Sequence, residues 1–287
     1  MDKSSHSTTS RAMSLDYKRL IKKLSEHGDL VILGVKGSCK TTLLMNLARE
    51  LRKETKNRVL ILETFPKWIH EFDSIPYYCI KNEDVQTSEN TPYLDEGYSY
   101  IQWSRDYTLK NADRLERALK QNKDLIILIE CEDMERISWV MSHIIYHFYR
   151  KQYLRAKANS LSSVGEHIYF LVEESHNLLD STVIAKKIFN KLRKIQNEFR
   201  NLNMHLVCVA LRLQDLNPKI RTKMSILLSQ ISLDDYQLKI RALLRNSAFK
   251  EEITRLPKGK FVFPSTDETL EVKPFEQIGR PLDKRRA

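Results

Sequence analysis

Lys40, Thr41 and Thr42 stand six to eight residues after Gly34 and three to five after Gly37, the residue types and spacing of a phosphate cradle. Gly34, Lys40 and Thr41 fall at the fixed positions of G-x-x-x-x-G-K-[ST], with Val35, Lys36, Gly37 and Ser38 between them. In such a loop backbone N–H groups and a helix N-terminus wrap an anion, the lysine reaches the β- and γ-phosphates of ATP, and the hydroxyl after it holds Mg²⁺. The position before the lysine, glycine in the pattern, is Cys39. A Cβ there narrows the backbone approach. If the native dihedral suits only glycine it costs roughly 1–3 kcal/mol, which would weaken binding about ten- to a hundredfold.

A second pair of residues complements the loop. Glu173 and Glu174 directly follow the apolar run YFLV. Adjacent carboxylates at the end of a buried strand are costly unless something positive sits nearby. Behind a glycine loop they take distinct roles: Glu173 orients the Mg²⁺ shell through a water, and Glu174 is the base that activates the attacking water. Two other features carry less. His143 and His147 have the i, i+4 spacing of a metal pair, but no helix-borne glutamate base or clear third ligand accompanies them. Cys39, at a helix N-terminus beside Lys40, has the setting of a reactive thiol, although a passive substitution is the preferred explanation.

These residues need elements to place them. LVILG before the loop is a short buried strand, and Leu43, Leu44, Leu47 and Leu51 after it lie at helical spacing. RVLILE (58–63) supplies a second strand and closes a βαβ unit. Residues 64–110 read as an irregular insertion around weak strands at 77–80 and 98–103. DLIILIE (124–130), a helix with Ile137, Val140, Met141, Ile144, Ile145 and Phe148 on one stripe, and the strand ending in Glu173 and Glu174 follow. A helix over 183–200 puts Ile184, Ile188, Leu192, Ile195 and Phe199 on one face and Lys187, Lys191 and Lys194 on another, and MHLVCVAL (204–211) is a fifth strand. GKFVFP and LEVKPF suggest a closing hairpin. Strands alternating with helices predict an α/β domain with a mainly parallel sheet over 15–275, between a disordered tail (1–14) and a basic tail (276–287).

The 287 residues suffice for a full core, and 41% hydrophobic with 30% charged residues is a soluble globular composition. No apolar run reaches the ~18–20 residues of a membrane helix, and the polar N-terminus lacks the core of a signal peptide, so a cytoplasmic setting is expected. The four dispersed cysteines exclude a zinc finger and a disulfide framework. The net charge of +11 is concentrated: 150–157 carries +4, 186–200 carries +5 and 280–287 carries +3, leaving −1 for the remainder. Concentrated basic charge points to a polyanionic partner, most often nucleic acid, with Lys187, Lys191 and Lys194 as candidate phosphate contacts.

The order GVKGSCKTTLL, DLIILIE…ERISWVMSHIIYHFYR, IYFLVEESHNLL and LRKIQNEFRNLNMHLVCVALRLQDLNPKI resembles the HerA–FtsK superfamily of DNA-pumping ATPases over roughly residues 28–275. In EESHN the second acid, His176 and Asn177 match the family's second motif, while Glu173 replaces its first acid. EFRN matches a segment that carries Glu198 and Arg200. Leu211 stands where a phosphate-sensing glutamine is usual, and Arg212 matches the arginine after it. The resemblance implies a RecA-like P-loop ATPase core that moves or packages double-stranded DNA for a virus or plasmid. It also implies a homo-oligomeric, hexameric ring in which an arginine of the neighbouring subunit completes the site. Arg200 is the first candidate, followed by Arg212 and Arg221. Cys39, Glu173 and Leu211 depart from the pattern and leave two alternatives: a regulatory nucleotide-binding module with little hydrolysis, or a DNA-binding protein with a vestigial ATP site.

Overall fold

The computed structural model describes residues 15–64, 68, 77–82, 99–103, 124–130, 134–159, 165–175, 192–218, 222–233, 240–250 and 252–272. Its centre is a sheet of ten described strands: β1 (Leu30–Leu33), β2 (Asn57–Glu63), β3 (Tyr77–Asn82), β4 (Ser99–Trp103), β5 (Leu125–Glu130), β6 (His167–Val172), β7 (Met204–Ala210), β8 (Ser225–Leu228), β9 (Lys260–Phe263) and β10 (Glu268–Glu271). The spatial order is β10-β9-β8-β1-β7-β6-β2-β5-β3-β4. Every pairing from β8 to β4 is parallel; β9 alone runs against these strands, pairing antiparallel with β8 and with β10 in the closing hairpin expected from the sequence.

The parallel strands are apolar at nearly every position because both faces of the sheet are covered. Alternate side chains go to opposite sides. Val31, Leu33, Phe170, Val172, Leu206 and Cys208 join one core, and Leu30, Ile32, Tyr169, Leu171, Val207 and Val209 join the other. Helices α1 (Tyr17–His27) and α2 (Lys40–Arg52) cover the second face, while α3 (Met134–Asn159) and the segment 192–202 cover the first. In α2, Leu43, Leu44, Leu47, Ala48 and Leu51 are wholly buried. At about 1.5–3 kcal/mol per buried leucine, this fixes the helix that presents Lys40 and Thr41. The N-terminal helix α1, which carries no pattern noted in the sequence, begins at Asp16, whose carboxylate accepts the Arg19 N–H at 2.7 Å. Arg19 and Lys23 then hold the buried Glu268 of the hairpin at 2.6 and 2.8 Å.

The expected insertion is in part sheet. Strands β3 and β4 pair in parallel with each other and β3 with β5, extending the sheet at its far edge. The expected helix 183–200 is described only from residue 192, and it gives way to turns at 197–199 and a single 3₁₀ turn at Arg200–Leu202. The expected tails 1–14 and 276–287 lie outside the described residues.

Candidate functional site

Because β2, β6, β1, β7 and β8 are parallel, their carboxyl ends share one edge of the sheet, where open α/β sheets bind ligands. The loop 34–39 leaves β1 at that edge. Gly34 has no room for a side chain: a Cβ would stand 2.7 Å from Ser38 Oγ and 2.9 Å from Ser229 Cβ. The segment after β8 braces the loop, since the Val35 N–H donates to Gln230 O at 2.8 Å and the Ser229 N–H to Leu33 O at 2.8 Å. Lys36 and Gly37 are exposed, and Gly37 takes φ 81°.

Cys39 occupies the left-handed region, with φ 69° and ψ 24°, at the N-cap of α2. A helix cap normally has extended backbone and a side-chain oxygen turned onto the first turn. Here the thiol makes no cap bond. The first helical bond runs from the Leu43 N–H to Cys39 O at 2.9 Å, so the N–H groups of Lys40, Thr41 and Thr42 precede the helical ladder, as the anion-binding donors of a helix N-terminus do. The Ser38 hydroxyl is buried and has no partner among the described residues.

Lys40 is 7% exposed and folds back on the loop, donating to Gly34 O at 2.7 Å and Val35 O at 2.8 Å. Burial pulls its pKa down to about 8, against the opposing pull of Glu173 and Cys39. The ammonium thus sits on two carbonyl dipoles, poorly matched in charge, which a phosphate anion would match better.

Strand β7 lies between β1 and β6, so Glu173 starts two strands, roughly 10 Å, from the loop's strand. It closes that gap from the end of β6: one carboxylate oxygen accepts the Thr41 hydroxyl and the other accepts the Trp68 indole N–H at 3.2 Å. The side chain is 6% exposed. A hydroxyl beside a carboxylate is a hard oxygen set of the kind Mg²⁺ takes. Glu174 is half-buried and accepts the Thr64 hydroxyl, just past β2, at 2.8 Å. Ser175 ties the acidic turn to β7, its hydroxyl donating to Val209 O at 2.7 Å.

The structure therefore joins Gly34, Ser38, Cys39, Lys40, Thr41, Glu173 and Glu174 at one edge. Thr42 is buried in the first turn of α2. Leu211 follows β7 at the same edge and is 49% exposed, while Arg212 pairs with Asp215 at 3.3 Å beside the exposed Gln214. Arg200 lies elsewhere. It is exposed at the opposite, amino-terminal edge, its Cβ 3.9 Å from where a Cβ on Gly28 would stand. The run from Gly28 to Gly34 spans about 20 Å, beyond an arginine's reach to its own loop. Lys194 is exposed; Lys187, Lys191, His176, Asn177 and Arg221 lie outside the described residues. His143 and His147 are on α3, and among the described residues no group of three or more metal-ligating side chains occurs. Sequence reasoning missed Thr64, Trp68, Ser229 and Gln230. Thr64 was reachable, being the residue after a strand parallel to that of Glu174, whereas nothing local marks Trp68.

No protein-family model matches the sequence, nor does any curated protein. Solved structures do resemble the fold. The genome packaging NTPase B204 of Sulfolobus turreted icosahedral virus 2, in complex with AMP, is 11% identical with a TM-score of 0.51, covering 86% of this chain and 97% of that one. The bacterial conjugative coupling protein TrwB, in an unbound form, is 12% identical with a TM-score of 0.55, covering 92% of this chain and 89% of that one. Among the described residues no helix is long and apolar enough to cross a membrane. At these identities the likeness is one of fold: the chain has the P-loop NTPase fold that these neighbours share.

Proposed function

We propose that this chain is the ATPase subunit of a DNA motor, hydrolysing Mg²⁺-ATP to move or package double-stranded DNA as a homo-oligomeric ring. The observation that carries the ATPase assignment is the contact of Thr41 with Glu173 across an intervening strand, beside Lys40 at the mouth of the loop. A bound Mg²⁺ would be held by the Thr41 hydroxyl, with Glu173 beside it, and would neutralise phosphate charge. Lys40 exchanges two carbonyls for phosphate oxygens, the first-turn N–H groups of α2 orient the phosphates, and Glu174, released from Thr64, takes a proton from the attacking water.

DNA as substrate is supported by the localised basic charge and by the packaging and conjugation proteins that share the fold. With one candidate nucleotide site among the described residues of each chain, processive movement is a property of the assembly, taken here as a hexamer, with Arg200 reaching a neighbouring subunit's site. The setting would be the cytoplasm, of a host if the element is viral. Cys39 in a left-handed conformation and the exposed Leu211 favour a second reading, a nucleotide-binding module that cycles little.

The deciding experiment is ATP hydrolysis with and without double-stranded DNA, with Lys40→Ala and Glu174→Gln as controls. Stimulated turnover lost in both variants is expected. ATP binding without turnover in the wild type would replace the motor by the module, and DNA binding indifferent to ATP would leave only a DNA-binding protein.

A further inference from the structure

Helix α3 has 26 residues, about 39 Å, and its second half runs to the edge of the sheet opposite the nucleotide loop. Gln152 Nε2 donates to Glu166 O at 3.2 Å and Arg155 pairs with the Glu166 carboxylate at 3.5 Å, which fixes this part of the helix beside the start of β6. The acids of the candidate site leave the other end of the same strand, about 20 Å away.

Three tyrosines climb one side of that half-helix. Tyr146 and Tyr149 stack with ring centroids 6.0 Å apart, and Tyr149 and Tyr153 with 5.9 Å, each pair inclined by 27°. The middle ring is anchored because its hydroxyl donates to Glu198. The ladder ends at Tyr153, 45% exposed, next to Leu154, 53% exposed. Arg150, Arg155 and Lys157 are exposed around it, and residues 150–157 contain four cations and no acid. The exposed Tyr153 is thus stacked on a neighbour whose hydroxyl is anchored, among exposed cations, and arginine, lysine and tyrosine are all phosphate donors in DNA complexes.

We infer that Arg150, Tyr153 and Lys157 of α3 form a backbone-binding face for duplex DNA at the amino-terminal edge of the sheet, away from the nucleotide. The inference rests on the motor assignment for its partner and adds the surface. The i, i+3, i+7 spacing lines the three donors along one face of the helix. Binding by phosphate contacts is sequence-independent and salt-sensitive, each contact adding about 0.9 to the slope of log K against log salt. At 0.15 M salt that is about fivefold per contact, so two lost contacts weaken binding about 30-fold.

The test is duplex binding by fluorescence anisotropy, with a mixed-sequence 30-mer, across a salt series. Arg150→Ala/Lys157→Ala is compared with wild type and with Lys18→Ala/Lys22→Ala, which removes the same charge from the exposed side of α1 on the other face of the sheet. The expected result is an approximately 30-fold loss and a slope lower by about 1.8 in the α3 variant only, with a smaller loss in Tyr153→Phe. Equal loss in both double variants would mean a long-range charge effect and overturn the assignment, as would wild-type affinity in the α3 variant. Unchanged DNA binding with an altered oligomeric state by light scattering would make this face a contact between copies, which also overturns it. If the wild type binds no duplex, the motor assignment itself fails and takes this face with it.

Discussion

Replacing Cys39 by glycine separates two effects that the sequence alone conflates. A non-glycine residue in the left-handed region costs about 1–2 kcal/mol per residue. Cys39 holds φ 69° in the folded chain, so a loop that keeps this geometry when it takes a phosphate carries the strain on both sides of the binding equilibrium, and the strain cancels from the binding free energy. The tenfold to hundredfold loss of affinity expected from the cysteine therefore becomes a loss of stability. Glycine relieves the strain but enlarges the unfolded ensemble by about 0.4–1 kcal/mol, and Cys39→Ala keeps the Cβ while removing the thiol, so the glycine-to-alanine difference isolates the backbone contribution. The expected net gain of Cys39→Gly over Cys39→Ala is about 0.5–1 kcal/mol. For a chain of 287 residues that is about 1–2 °C in melting temperature. ATP affinity, measured by calorimetry on the same three proteins, should change less than about threefold. A tenfold tighter site in Cys39→Gly, with melting temperatures of the variants unchanged, would refute the reasoning: the strain would then arise on binding, and the loop would not be preformed.

Four further outcomes are expected. Lys40, with its pKa pulled down to about 8 against 10.5 in an unfolded chain, binds fewer protons than the unfolded state between those values, so stability rises with pH across that window while ATP affinity falls by up to about tenfold per unit above 8; Lys40→Met abolishes both trends, and affinity flat to pH 10 would contradict the assignment. Thr64→Val removes a hydroxyl that holds Glu174 and that the carboxylate leaves before it takes a proton, so basal turnover should rise several-fold, with Thr64→Ser restoring the wild-type rate; a lower rate in Thr64→Val would make Thr64 only a packing residue. Trp68→Phe deletes one hydrogen bond to Glu173, worth about 1 kcal/mol or fivefold in Mg²⁺-ATP affinity; because this indole touches the site, tryptophan emission is expected to change on nucleotide binding in the wild type and not in Trp68→Phe, and a change that persists there belongs to Trp103 or Trp139. Asp29, its pKa raised to about 7 by burial against the lowering effects of Gln196, the Leu206 N–H and Lys223, holds a proton that the unfolded chain loses near 3.8, so stability should fall as pH rises from about 4 to 7 and level off above; Asp29→Asn, whose amide can meet the unpartnered Gln196 Oε1, should flatten that curve as read by denaturant melts.

The parts legible in the sequence were those written in contiguous residues. The strand-loop-helix around Lys40 is local, its apolar runs must be buried on both faces, and the parallel sheet follows from the alternation of strands with helices. The pairing of Glu173 with Thr41 was implied once a glycine loop and a strand ending in acids occurred together, although 132 residues separate them. What local pattern could not show was the order of strands. The four-residue β8 is too short to announce itself, yet the residues just past it, Ser229 and Gln230, close the floor of the loop. Strand order also decides Arg200. Its segment enters β7, beside β1, so neighbouring motifs look adjacent in a linear map, but a parallel strand has its entrance and exit at opposite edges of the sheet. An arginine before β7 and a loop after β1 are therefore held apart by the length of the strands. If Arg200 acts on a nucleotide at all, it does so on a neighbour's. Subunits carrying Arg200→Ala mixed with subunits carrying Glu174→Gln should then regain turnover that neither has alone, because some interfaces pair an intact arginine with an intact base. Mixtures no more active than the sum of their parts would remove Arg200 from the site.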